Sequence, residues 1–70
     1  MKKSPKQLVQ AHGEFVLDYV EHFKRQGFPS FYVGRGKVAG NTSPIPSGLH
    51  NTPAQAWKAA ASVLEVLDGK

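Results

Sequence analysis

The chain has 70 residues, nine Lys/Arg against five Asp/Glu, a formal charge of +4 and no cysteine. That length holds one small domain, and the composition excludes a disulfide-stapled scaffold, a thiolate nucleophile and a cysteine-based zinc site. Apolar runs such as Ala59-Ala60-Ala61 fall far short of the roughly 20 residues of a membrane span, and no apolar h-region follows Lys2-Lys3, so neither a membrane segment nor a signal peptide is expected.

The chain divides into three parts. Residues 4–27 read as a helix. Ser4-Pro5-Lys6-Gln7 supplies N-cap, N1 and N3 of a capping box, and Gly27 before Phe28-Pro29 is a natural stop. At 100° per residue, Leu8, Val9, Ala11, Phe15, Val16, Tyr19, Val20 and Phe23 share one face, with charged and amide side chains opposite and Leu17 the apolar exception. Gly13 is the weak point, costing about 1 kcal/mol relative to alanine in a helix interior. Residues 1–4 are expected to form a flexible basic arm.

Residues 28–52 read as a hairpin and a loop. Ser30-Phe31-Tyr32-Val33 has strand composition, Gly34-Arg35-Gly36 is a turn signal, and Lys37-Val38-Ala39 can return as a second strand. Phe31, Val33 and Val38 would face the helices, and Tyr32 the opposite side. Beyond Gly40 the chain is a loop, because the prolines flanking Ile45 forbid a central strand. From Thr52 the capping grammar repeats, and a helix is expected over 53–68. Ala56, Trp57, Ala59, Ala60, Val63, Leu64, Val66 and Leu67 make an apolar arc too wide for one neighbour, so the helix is expected to be buried on two sides within the monomer or partly in a homodimer through residues 56–67. The expected fold is therefore a single α+β domain, helix–short β-hairpin–loop–helix. The segment Asn51–Ala60 is similar to the T-P-x-x-A-x-x-A helix openings of small bacterial and phage proteins, HicB-like antitoxins among them. The helical N-terminus departs from the strand-first HicB order, and no family is assigned.

Charge distribution carries the functional expectation. All five acids are Glu14, Asp18, Glu21, Glu65 and Asp68, so the stretch from His22 to Leu64 holds cations only. Arg35 and Lys37, between glycines, form a basic hairpin tip suited to phosphates, and Lys2, Lys3 and Lys6 add a basic arm. No acid lies near Arg35 and Lys37 in sequence, so neither is expected to find an internal ion pair. Gly34-Arg35-Gly36-Lys37 is neither a Rossmann fingerprint nor a Walker A loop, for no βαβ unit fits and the spacing is wrong. Tyr32 could stack on a base or anchor a protein contact, and Ile45 in its proline loop would serve a protein contact. His12, His22 and His50 show no ligand spacing, and nothing selects Ser47, His50 and Asp68 as a hydrolytic set. No metal, cofactor or enzymatic activity is expected. The sequence thus reads as a cytoplasmic, non-enzymatic binding protein: a regulator contacting nucleic acid through Lys2, Lys3, Lys6, Tyr32, Arg35 and Lys37, or alternatively a bacterial or phage-type inhibitor of a host protein using Tyr32 and Ile45.

Overall fold

A computed structural model describes residues 3–68. In chain order the elements are α1 (Pro5–Gln10), β1 (Phe15–Tyr19), α2 (Glu21–Arg25), β2 (Phe31–Arg35), β3 (Ser43–Pro44) and α3 (Pro53–Asp68). The strands form one antiparallel sheet in the order β1-β2-β3. The class is α+β, with a small sheet set between helices.

The helix expected over 5–27 is not continuous. Its start is as read: the Gln7 amide donates to Ser4 Oγ at 3.3 Å and the Ser4 amide to Gln7 Oε1 at 2.9 Å. It ends at the Ala11 cap, where the His12 amide turns back to the Val9 carbonyl. Gly13 then takes φ +146°, which lies outside the helical region and which L side chains rarely adopt. The glycine is a stop, not a tolerated helix residue. Beyond it, Phe15-Val16-Leu17-Asp18-Tyr19 is aromatic and β-branched enough to extend, and pairing with β2 fixes it: Phe15 faces Arg35, Leu17 faces Val33 and Tyr19 faces Phe31. Gly27 ends a helix as expected, but that helix is the five-residue α2.

The hairpin also differs. β2 does not return through Lys37-Val38-Ala39; Val38 is 65% exposed, and residues 36–42 form a loop leading to β3. Arg35 pairs with Ser43 and Gly34 with Pro44. Because the 35–43 pair exchanges the hydrogen bonds, the missing N–H of Pro44 falls on the outer edge, the one place where a strand tolerates proline. After the Pro46–Leu49 turn, the chain rejoins β2 through reciprocal Phe31–His50 backbone bonds.

Alternation along the strands sends Phe15, Leu17, Phe31 and Val33 to the face covered by α3. There Phe15 and Val33 join Ala56, Trp57, Ala60 and Leu64 of α3 and Val9 of α1 in the core, and Leu17 and Phe31 pack against it, partly buried. Thr52 caps α3 through the Gln55 amide at 3.2 Å. Leu17, the exception on the imagined helix, packs against this core, while Leu8, Tyr19 and Phe23 of the imagined apolar face are exposed.

Candidate functional site

The other face of the sheet holds the feature that sequence reasoning missed. Asp18 pairs with Tyr32 across β1 and β2 and is only 6% exposed. Its Oδ2 accepts from the Gly40 amide at 2.9 Å and from the Thr42 hydroxyl at 3.0 Å, and its Oδ1 accepts from the Tyr19 amide at 2.8 Å. Burial raises the carboxyl's pKa. The donors from Gly40, Tyr19, Thr42 and the Tyr32 hydroxyl outweigh burial and bring it below the ordinary 3.8. Thr42 reaches Asp18 by lying across Gly34: a Cβ on Gly34 would stand 2.6 Å from the Thr42 Cβ. The loop 36–42, which carries Lys37 and follows Arg35, is therefore tied to the sheet by one ionised side chain. A carboxylate amid F-V-L-D-Y-V was the available signal, but it is visible only once the segment is read as a strand.

The expected basic residues divide. Lys2 lies outside the described residues. Lys3 is exposed, and Ser4 belongs to the cap of α1 rather than to a free arm. Lys37 lies 4.0 Å from Glu14, both side chains largely exposed, contrary to the expectation that no acid would reach it. Pairing of β1 with β2 brings Glu14, distant in sequence, to the same end of the sheet. Arg35 stands over the ring of Phe15, with its guanidinium carbon 4.9 Å from the centroid. Phe15 and Arg35 are a non-hydrogen-bonded cross-strand pair, the type that brings side chains closest. The same holds at the far end, where Tyr19 and Phe31 are paired with ring centroids 6.2 Å apart. There Lys24 Nζ sits 4.7 Å from the Tyr19 centroid and 5.6 Å from that of Phe31. Lys6 Nζ lies 5.8 Å from the Trp57 centroid. Three exposed cations are thus held by rings. A ring orients a cation through its quadrupole but does not neutralise it. Lys24 was not among the expected site residues; its setting exists only after α2 and the strands form.

Tyr32 and Ile45 are brought together. With Val20, Pro44, Gly48 and Leu49 they line an apolar recess of about 250 Å³. Leu49 also belongs to a second recess of about 350 Å³ with Phe23, Phe28 and Pro29. Phe28 is 56% exposed. The two recesses share Leu49, and one of them includes Phe23 of α2. The proposed dimer face is smaller than expected, because the monomer's own core takes Ala56, Trp57, Ala60 and Leu64; Val66 and Leu67 remain open.

Among the described residues no three His, Cys, Asp or Glu side chains gather in a way that could hold a metal ion. His50 Nε2 is 2.7 Å from the Ser47 carbonyl, and His22 contacts Gln26. No described helix is long and apolar enough to cross a membrane. Comparison of the chain with protein-family models, curated proteins and solved structures returns no significant match.

Proposed function

We infer that the protein binds nucleic acid through its phosphate backbone, with Lys6, Lys24 and Arg35 as the principal contacts and Lys3 and Lys37 as secondary ones. One observation carries this reading: three exposed cations rest on aromatic rings in place of carboxylates, so they are positioned and keep their full charge. Glu21 and Glu14 lie beside Arg25 and Lys37, and Asp18, though ionised, sits on the face of the sheet opposite that of Phe15 and Arg35. Phosphate contacts of this kind give affinity without sequence preference.

The test is fluorescence anisotropy on random-sequence duplexes across a salt series. Log affinity should fall linearly with log salt, at about 0.9 per phosphate neutralised. Replacing Lys6, Lys24 and Arg35 together by glutamine should reduce the slope by about one unit per lost contact. A slope unchanged in the triple variant would refute the assignment.

The apolar recess favours a second reading, a protein partner seated over Tyr32, Ile45 and Leu49. Complex formation of that kind would survive high salt and nuclease and be lost in Leu49→Asp.

A further inference from the structure

We propose that β1 pairs with β1 of a second copy of this chain, about a two-fold axis at Leu17, and joins two sheets into one. The inference is independent of the nucleic-acid reading. It rests on where the backbone groups of β1 point. The Val20 amide donates to the Ser30 carbonyl, and the Gly36 amide donates to the Glu14 carbonyl. Both bonds belong to the register in which Phe15 faces Arg35. In an antiparallel ladder such bonds recur at every second residue. Residues 14, 16, 18 and 20 therefore turn their N–H and C=O groups toward β2, and residues 15, 17 and 19 turn theirs outward. Among the described residues, nothing pairs with the outward groups of Phe15 and Leu17. The Tyr19 amide is the one outward donor engaged, by its neighbour Asp18 at 2.8 Å.

Natural sheets protect an open edge with lysine, proline, a bulge or a covering element. The outer edge at β3 is protected: it is two residues long and carries Pro44. β1 reads Phe-Val-Leu-Asp-Tyr over five residues, without lysine or proline. Its one charge, Asp18, is of the inward-pointing kind that guards an edge, but Gly40 and Thr42 hold its Oδ2 on the sheet face and its Oδ1 engages only the Tyr19 amide, so the backbone groups of Phe15 and Leu17 stay open.

A second copy is the occupant because the edge is self-complementary, as a two-fold contact requires. With Leu17 on the axis, Phe15 falls opposite Tyr19 of the second copy, and Leu17 opposite its own mate. Aromatic and aliphatic cross-strand pairs of this type favour a sheet. The same register sets Asp18 opposite Val16 and Glu14 opposite Val20 of the second copy, so no two carboxylates face each other. Shifting the register by two residues in either direction would keep the hydrogen bonds of Leu17 but break the Phe15–Tyr19 pair.

An interface confined to one short strand lies at the small, weak end of the range, so the experiment spans roughly 10 µM to 1 mM protein. Sedimentation of the wild-type chain should shift from monomer to dimer across that range. Over the same range, the exchange of the Phe15 and Leu17 amides should slow, while the Val16 and Asp18 amides, already bonded to β2, stay constant. Leu17→Lys places two ammonium groups on the axis, and Leu17→Glu two carboxylates, so each variant alone should be monomeric. An equimolar mixture should restore the dimer. The wild-type exchange data decide the matter even where a variant folds poorly. A 7.6 kDa species throughout would overturn the proposal. So would amides of Phe15 and Leu17 indifferent to concentration, or a dimer that survives Leu17→Lys.

Discussion

Removing the Asp18 carboxylate should loosen the loop that carries the basic tip, and the size of the effect can be worked from the contacts. In Asp18→Ala, the Gly40 amide, the Thr42 hydroxyl and the Tyr19 amide lose their acceptor. A hydrogen bond to a charged group contributes about 1.5–3 kcal/mol. The Tyr19 amide lies on an open edge and Gly40 is exposed, so water replaces much of what those two donors lose. The net cost is then about 2–3 kcal/mol, dominated by the loop anchor. A domain of this size should shift by about 4–8 °C per kcal/mol, and Tm should fall by roughly 10–20 °C in a thermal melt followed by circular dichroism. The sign of the pH dependence follows from the lowered pKa. The native state holds the carboxylate ionised more tightly than the unfolded chain does. Its stabilisation is therefore complete above the unfolded value near 3.9 and is lost as pH falls through the lower native value. Wild type should destabilise across that acid window relative to Asp18→Ala, whose melt should be flatter there. Thr42→Val should reproduce part of the loss, and its effect should shrink in the Asp18→Ala background. A Tm within about 3 °C of wild type for Asp18→Ala would show that the loop is held by something other than this carboxylate.

Gly34→Ala should act on the same anchor from the other side, because its Cβ would collide with Thr42; an unchanged melt would show that Thr42 moves aside freely. Trp57→Ala should cost about 3–5 kcal/mol, against a total of about 4–10 kcal/mol expected for a chain of this length. Trp57 is only 9% exposed and lies in the core, so loss of the cooperative thermal transition is the expected result. Arg35→Gln should lower the salt slope of duplex binding by about one unit with a small change in Tm, since a ring-held exposed cation contributes about 0.5–1 kcal/mol. Lys37→Gln should lower the slope less, because Glu14 already shares its charge.

Local chemistry determined two helix starts and the last helix. Ser4-Pro5-Lys6-Gln7 and Thr52-Pro53 carry their caps within four residues, and the capping bonds form as read. The helix over 53–68, the core placement of Trp57 and Val33 and the packing of Phe31 against that core follow from composition and period. Residues 11–25 were decided otherwise. Their apolar positions satisfy a helical stripe, yet in the fold Leu17, off that stripe, packs against the core, while Tyr19 and Phe23, on it, are exposed. A segment whose propensity is balanced between helix and strand takes the form that its distant partner completes. Here that partner is β2, which begins more than ten residues downstream. The site follows the same division. Clustered cations between glycines are legible in one dimension. The rings beneath Arg35 and Lys24, the approach of Glu14 to Lys37 and the Asp18 anchor are cross-strand relations, created by pairing of residues far apart in sequence. Such contacts depend on the register of the ladder, and register belongs to two segments at once, so no window of sequence around either one contains it.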